Sequence, residues 1–282
     1  MHSYIKFVLI LFSVSTFVYA QEFSSPRPSP DAAVSQVFGI TKITVDYSSP
    51  GVKGRTIWGE LVPYGKIWRT GANEVTSITF STPVKVNSTA LDAGTYGIHM
   101  IPGKEEWEII FSSDTKVDDP MTYDESKDAL RLKVKPVENP YTERMAFTIT
   151  DMETNSADVN LIWDKLKVSF RVEAETQELV LESARSLSAW ADLSSAASYC
   201  LQNNVNLDEG LRWIEASVLL NENYWNQRVK AQYLAKMDRK GDAVTAMEKA
   251  IEYGSKMDSK PFDFENMKKM LEEWKAEEKI KE

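Results

Sequence analysis

The chain has 282 residues, of which 43% are hydrophobic, so it is long enough to form two domains that each bury a core. Its 33 Lys and Arg residues are outnumbered by 42 Asp and Glu residues, which gives a formal net charge of −9 at pH 7. Nucleic acids and anionic membranes are bound through basic surfaces, so this charge argues against both as partners. The single cysteine, Cys200, excludes an internal disulfide.

Residues 1–20 have the pattern of a secretory signal peptide. Lys6 precedes the apolar run FVLILFSVSTFV, and Ala20 supplies the small residue expected at a cleavage site. The run is short against the ~20 apolar residues that a membrane-spanning helix needs. We therefore predict cleavage after Ala20, export to the periplasm or the extracellular space, and no membrane span in the mature chain. Residues 21–31, rich in Pro and Ser, are predicted to be a linker.

Residues 32–173 are predicted to form an antiparallel β-sandwich. Short stretches in which apolar and polar residues alternate follow one another along this part of the chain, separated by turn residues. The clearest pair is Thr95–Ile101 and Glu106–Ser112, which flank a Pro-Gly turn and indicate a β-hairpin. The polar, acidic stretch Ser113–Asp128 is predicted to be a surface excursion after that hairpin.

Two irregularities are predicted within the strands. Pro83 lies inside the strand-like stretch Ser77–Val86, which favours an edge strand or a bulge because proline donates no backbone hydrogen bond. In Val159–Val172 the apolar residues change from one parity to the other. This change predicts a turn or a bulge near Asp164.

Residues 174–282 are predicted to form an all-α domain, which makes the fold a β + α two-domain protein. Glycine and proline become rare, and apolar residues recur at spacings of three and four. Asn206 and Asn223 suit helix N-caps, Asn206 with Glu209 at the spacing of a capping box, and Pro261 suits the start of a final helix.

A weak internal repeat accompanies these helices. Four positions recur after 34, 33, 33 and 33 residues, which is the period of tetratricopeptide helix hairpins. The helices therefore fit either a tetratricopeptide-like arrangement or an ordinary helical bundle. The four pairs are Ala197 with Ala231, Gly210 with Ala243, Ile214 with Met247, and Ser217 with Ala250.

Several kinds of chemistry are excluded by the residues available. The chain beyond residue 20 keeps one histidine, His99, and one cysteine, too few for a His- or Cys-rich zinc site or a dithiol redox motif. A Ser-His-acid triad would have to use His99, for which a structural role is favoured. Four acidic residues are a candidate calcium site, but they lack the ligand spacing of an EF-hand, which favours a solvated loop. These residues are Asp118, Asp119, Asp124 and Glu125. No phosphate-binding glycine loop is present. We predict neither a metal nor a cofactor.

The stretch Lys53–Glu74, which reads KGRTIWGELVPYGKIWRTGANE, gathers aromatic, basic and amide side chains between glycines. Such a composition suits the binding of a small molecule, a glycan or a peptide. In the alternative interpretation the aromatic residues are core and the arginines brace loops. The candidate ligand-binding residues are Arg55, Trp68, Arg69, Asn73 and Glu74, with Lys53, Tyr64 and His99 as additional candidates.

Three functional hypotheses remain open at this point. The first is a binding module with a ligand surface on the β-sandwich, whose helices offer a surface to a protein partner. The second is a carboxylate-based hydrolase of glycan or peptide, in which Glu74 acts as acid or base with Asp46 or Asp92 as its partner. The third is a structural scaffold. The sequence favours a binding protein over an enzyme.

Three separated blocks of the chain also resemble a known bacterial family, the domain of unknown function 2911. The blocks read SPRPSPDAAVSQ, VDYSSPGVKGRTIWGELVPYGKIWRTGANEVTSITFS and DAGTYGIHMIPGKEEWEIIFS, and the resemblance covers about Ser24–Val172. It implies that members are exported, that helical or repeat segments often follow the domain, and that Lys53–Glu74 is the family's signature. It implies no activity, cofactor or catalytic residue. His99 stands where the family pattern has an apolar residue.

Overall fold

The computed structural model of this chain describes residues 25–116 and 122–281. The predicted signal peptide and the first part of the predicted linker lie outside the described residues. No helix in the described part of the chain combines the length and the apolar character needed to cross a membrane.

Within the described residues, the N-terminal half is built from ten strands in two antiparallel sheets. The strands are β1 (Asp31–Phe38), β2 (Thr41–Ser48), β3 (Thr76–Phe80), β4 (Val84–Val86), β5 (Thr89–Leu91), β6 (Gly94–Ile101), β7 (Trp107–Ser112), β8 (Asp128–Val134), β9 (Val137–Thr150) and β10 (Ser156–Glu173). The six-stranded sheet has the order β1-β2-β3-β6-β7-β8, and the four-stranded sheet has the order β5-β4-β10-β9. The predicted antiparallel β architecture is confirmed.

The predicted irregularities mark real changes in the course of the chain. The stretch Ser77–Val86 is not one strand: β3 belongs to the six-stranded sheet and β4 to the four-stranded sheet, with Pro83 between them. The parity change in β10 is a bulge, since the pairing with β9 shifts on both sides of Asp164. Asp164 has a φ of 53°, the left-handed conformation that such a bulge allows. The predicted hairpin is confirmed as β6 and β7.

Four tryptophans pack together in the core of the sandwich. Trp107 on β7 and Trp163 on β10 come from the two sheets, and each is 1% exposed. Trp58 and Trp68 enter from the loop between β2 and β3. The Trp58 ring centroid lies 4.8 Å from that of Trp107 and 5.7 Å from that of Trp163, while Trp68 stacks on Trp163 at 6.0 Å. The loop is thereby packed against both sheets.

The C-terminal half consists of six helices. They are α1 (Thr176–Arg185), α2 (Trp190–Asn203), α3 (Leu207–Leu220), α4 (Tyr224–Lys236), α5 (Lys240–Ser255) and α6 (Phe264–Lys281). Only two residues separate the end of β10 from Thr176, so the last strand passes almost directly into the first helix. Leu179 of α1 packs on the sandwich core, and Lys85 of β4 pairs with Glu175 at 2.6 Å. The predicted helical second half is confirmed.

The helices α2 to α5 form two successive hairpins. The starts of α2 and α4 are at residues 190 and 224, and those of α3 and α5 are at residues 207 and 240, so the hairpins are offset by 34 and 33 residues. All eight residues of the repeat pattern are buried. The tetratricopeptide assignment nevertheless stays a prediction, because a hairpin pair of this period does not by itself distinguish that family from a helical bundle.

The predicted helix caps were right for α4 and partly wrong for α3. Asn223 accepts hydrogen bonds from the backbone of Trp225 and Asn226 and forms a capping box. Asn206 does precede α3, but its φ is 43° and its side chain makes no capping bond. Its amide instead approaches the Glu209 carboxylate at 3.4 Å, so the predicted capping box does not form there. The final helix begins at Phe264, three residues after the predicted Pro261.

Gly210 is expected to be essential for the packing of α3 against α2 and α4. A Cβ atom there would collide with the Tyr233 hydroxyl, which donates to the Ala197 carbonyl at 2.6 Å, and would lie 3.0 Å from the Cys200 Cβ. We expect Gly210→Ala to lower the free energy of unfolding of the helical half by about 1–3 kcal/mol, measured by urea denaturation followed by circular dichroism. Gly241→Ala, at an exposed position of α5, should instead raise it by up to about 1 kcal/mol. Equal effects of both substitutions would contradict this view of Gly210.

Candidate functional site

The predicted site residues at the start of the central stretch are occupied by local contacts. The Arg55 guanidinium donates to the carbonyls of Gly51 at 2.6 Å and Val52 at 3.0 Å, so it braces its own loop. Trp68 is 9% exposed, and its indole nitrogen donates to the Gly71 carbonyl at 3.1 Å. These contacts match the alternative interpretation, in which the aromatic side chain is core and the arginine supports the loop.

Lys53, Tyr64 and Arg69 lie at three separate places. Lys53 has a φ of 49° and donates its backbone N–H to the Glu143 carboxylate at 3.0 Å. Tyr64 is 37% exposed and lies over Gly59. Arg69 follows Trp68 in the loop and is partly buried. Its Nε is buried and has no hydrogen-bond partner among the described residues.

Asn73 and Glu74 meet the segment that precedes β1. This segment, residues 25–30, is called here the N-terminal arm. Arg27 of the arm donates to both carboxylate oxygens of Glu74 at 2.9 and 3.0 Å, and Asn73 donates to the Ser29 carbonyl at 3.0 Å. Asn73 also reaches the Ser48 hydroxyl at 3.2 Å. Part of the predicted linker is therefore held against the sandwich next to two of the predicted site residues.

A hollow of about 530 Å³ opens beside these contacts, on the outer face of β1, β2 and β3. We call it the acidic hollow, because its wall carries three carboxylates and a single guanidinium. Asp46 makes no side-chain hydrogen bond or ion pair with another residue that the structure describes. The polar wall consists of Arg27, Asp31, Asp46, Ser48, Glu74 and Ser77.

The electrostatics of the hollow keep Glu74 ionised. The Arg27 guanidinium, through its hydrogen bonds, holds the pKa of the Glu74 carboxyl below its usual value. A general acid needs the opposite shift, which keeps its proton near neutral pH. Asp46 does line the same hollow, as the hydrolase hypothesis requires of a partner carboxylate, but Glu74 is engaged by a guanidinium. The geometry therefore favours charge recognition over acid catalysis.

The loop after β7 begins over the middle of the same sheet face, at Asp114. One row of paired residues crosses the sheet from Asp46 through Ser77 and Gly97 to Ser112. A Cβ atom on Gly97 would lie 2.6 Å from the Asp114 carbonyl oxygen, so the loop rests directly on this glycine. The acidic hollow lies on one side of this contact, and a second polar cluster lies on the other.

This second cluster lies beside His99, and its polar groups bond to one another. The Tyr123 hydroxyl donates to Asp128 at 2.5 and 2.6 Å, and Arg131 donates to Asp128 at 2.6 Å and to Tyr123 at 2.8 Å. Burial, together with the hydrogen bond to Asp128, raises the pKa of the Tyr123 hydroxyl. His99 is 1% exposed, with its ring centroid 5.1 Å from that of Tyr123. The structural role favoured from the sequence stays a prediction.

In the part of the chain that the structure describes, no group of three or more His, Cys, Asp or Glu side chains is arranged to hold a metal ion. Two of the four acids weighed for calcium, Asp118 and Asp119, lie outside the described residues. Of the other two, Asp124 accepts the Ser126 N–H at 2.9 Å, and Glu125 pairs with Arg131 at 3.4 Å.

Sequence reasoning missed most of the wall of the hollow. Arg27 and Asp31 belong to the stretch predicted to be a linker, and Ser48 and Ser77 are ordinary strand residues. The usable signal was parity: Asp46 follows the buried Val45 and Ser77 precedes the buried Ile78, so both point away from the core. Their meeting depends on the pairing of β2 with β3, which the pattern alone does not specify.

Arg27→Ala is expected to raise the pKa of Glu74 towards its ordinary value, because the substitution removes the guanidinium that stabilises the carboxylate. The carboxyl carbon of Glu74, followed by NMR as a function of pH, measures this change. Arg55→Ala is the control and should leave the pKa of Glu74 unchanged, since Arg55 bonds only loop carbonyls.

The ion pair between Arg27 and Glu74 also determines the direction in which the stability of the fold changes with pH. The folded-state pKa of Glu74 lies below its unfolded value, so the pair stabilises the fold above the unfolded pKa and this contribution is lost as the pH falls. An unchanged Glu74 titration in the Arg27→Ala variant would show that the ion pair does not form in solution.

Comparison with known proteins gives the family of the sandwich but no activity for it. No curated protein and no solved structure matched the chain. One family model, described as a protein of unknown function, matches residues 29–172, from within the N-terminal arm to the penultimate residue of β10. This match covers more than half of the chain and nearly all of the two sheets. The chain therefore belongs to the DUF2911 family.

Proposed function

We propose that this protein is an exported binding module whose ligand occupies the acidic hollow on the six-stranded sheet. The observation that carries the proposal is the wall of the hollow, where three carboxylates face one guanidinium. Its volume of about 530 Å³ lies within the range of pockets that accept small molecules or the side chains of a peptide. Export rests on the pattern of residues 1–20, and mass spectrometry of the secreted or periplasmic protein should find Gln21 as its first residue.

The charge of the wall selects the class of ligand. Asp31 and Glu74 share Arg27, whereas Asp46 has no cationic partner among the described residues. An excess of carboxylates attracts cations and repels anions. The hydroxyls of Ser48 and Ser77 add hydrogen-bonding groups beside them. A ligand that carries an ammonium or guanidinium group, such as a polyamine or a basic peptide, fits this wall best.

Arg27 supports the same conclusion from within the chain. Its guanidinium already makes a two-pronged contact with Glu74 and a further bond to Asp31 at 3.0 Å. Both oxygens of Glu74 are therefore used by Arg27, and Asp46 is the carboxylate of the wall that is left for a ligand. An incoming cation meets Asp46 first, because that carboxylate is not engaged by the arm.

The negative charge of the acidic hollow predicts which compounds bind there. In isothermal titration calorimetry at low salt, spermidine and arginine amide should bind the mature protein, whereas glutamate and lactose should not. Asp46→Asn should weaken the binding of the cations by about tenfold, or about 1.4 kcal/mol, because it removes the unengaged carboxylate. Raising the ionic strength should weaken it further.

Asp92→Asn is the matched control for this experiment. Asp92 is an exposed acid in the turn before β6 and does not line the hollow. Its substitution should leave the binding of both cations unchanged. If Asp46→Asn and Asp92→Asn have the same effect, the binding is a general response to net charge and the proposed site is wrong. A preference for glutamate or lactose would equally overturn the assignment.

A further inference from the structure

Arg27 supplies a guanidinium group to the acidic hollow, and two carboxylates of the wall hold it. Its Nη1 and Nη2 donate to the two oxygens of the Glu74 carboxylate at 3.0 and 2.9 Å. Its Nη1 also donates to the Asp31 carboxylate at 3.0 Å. The Ser48 hydroxyl lies 3.4 Å from an oxygen of each carboxylate. The wall therefore already binds one guanidinium, and that guanidinium belongs to the chain itself.

The backbone of the N-terminal arm is held in place without the Arg27 side chain. The carbonyl groups of the three residues after Arg27 each accept a hydrogen bond from the sandwich. None of these three bonds involves the Arg27 guanidinium, so its side chain can leave the two carboxylates while the arm keeps its position. The bonded pairs are Pro28 with the Arg144 side chain at 3.0 Å, Ser29 with the Asn73 side chain at 3.0 Å, and Pro30 with the Ser49 N–H at 2.8 Å.

The contacts of the Arg27 guanidinium are exposed and therefore weak. The Arg27 side chain is 47% exposed, and those of Glu74 and Asp31 are 60% and 73% exposed. Water and salt screen ion pairs at such exposure. Asp46 lines the same hollow, but Arg27 makes no hydrogen bond or ion pair with it. A ligand that replaces Arg27 would therefore keep its contacts and also face an unengaged carboxylate.

We propose that the Arg27 side chain is an internal substitute for the ligand, and that the ligand is a guanidinium compound that displaces it from Glu74 and Asp31. This inference rests on the proposed function and narrows its ligand class from cations in general to guanidinium compounds, such as a peptide with an exposed arginine. Two nitrogens of one planar group serve the two oxygens of Glu74. An ammonium group has one nitrogen and cannot reproduce this fork, so an ammonium ligand would bind at Asp46 and leave Arg27 in place.

Arginine amide and lysine amide, which carry the same charge, test the proposal in isothermal titration calorimetry of the mature protein at low salt. Arg27→Lys keeps the net charge of the protein but removes the internal fork. It should strengthen the binding of arginine amide about fivefold, because an exposed ion pair closes a site by no more than about this factor. The binding of lysine amide, which does not displace residue 27, should stay unchanged.

Arg27→Ala should strengthen the binding of arginine amide at least as much as Arg27→Lys does. Its charge-matched control is Arg212→Ala, at an exposed position of α3 outside the hollow, which should change neither affinity. Circular dichroism verifies that each variant is folded. In NMR spectra of the wild type, the Nε–Hε signal of Arg27, assigned by its loss in Arg27→Ala, should move when arginine amide is added and stay in place when lysine amide is added.

The proposed function and this inference fail in different ways. If Asp46→Asn weakens both amides but neither Arg27 variant strengthens arginine amide, the hollow binds cations without competition from Arg27, and the inference is overturned. If lysine amide gains as much as arginine amide from Arg27→Lys, the hollow does not select a guanidinium, which overturns the inference as well. If neither the wild type nor Arg27→Ala binds either amide at about 10 mM, the inference and the proposed function are both wrong.

Discussion

The sandwich depends on the packing of four indole rings between its two sheets. Trp107 and Trp163 belong to strands of opposite sheets, whereas Trp58 and Trp68 belong to the long loop between β2 and β3. Each ring buries a large apolar area, and edge-to-face contacts add to the attraction. A loop of this length would otherwise be expected on the surface. Its two tryptophans instead make it part of the core.

This packing also decides where the polar residues of the loop emerge. Thr70 and Gly71 follow Trp68 in the core, and the chain leaves the core after Gly71 and returns to the sheet at Thr76. Asn73 and Glu74 lie at the tip of that return, next to the N-terminal arm. The acidic hollow thus follows from core packing: the indoles anchor the loop, and its tip and the arm together rim the hollow.

The sequence was sufficient where a local pattern carries the information. Alternation specified the hairpin of β6 and β7, and the change of parity located the bulge at Asp164. Spacings of three and four specified the helical half. The pattern could not show that Pro83 lies where the chain passes from one sheet to the other, because a single strand and two short strands alternate in the same way.

The candidate site was harder to predict because it is assembled by contacts between distant residues. Arg27 pairs with a carboxylate 47 positions away, and nothing in a Pro- and Ser-rich segment distinguishes a bound arm from a free linker. Composition made both Arg55 and Glu74 candidate site residues. In the structure, Arg55 bonds its own loop, whereas Glu74 borders the hollow. Side-chain direction in an irregular loop is set by its tertiary packing, which composition does not contain.

The direct passage from β10 into α1 has a consequence for the placement of the first helix. Two residues separate the strand from the helix, Leu179 packs on the sandwich core and Lys85 pairs with Glu175, so α1 is held against the sandwich. A change in the tilt of α1 would therefore disturb both the packing of Leu179 and the ion pair between Lys85 and Glu175.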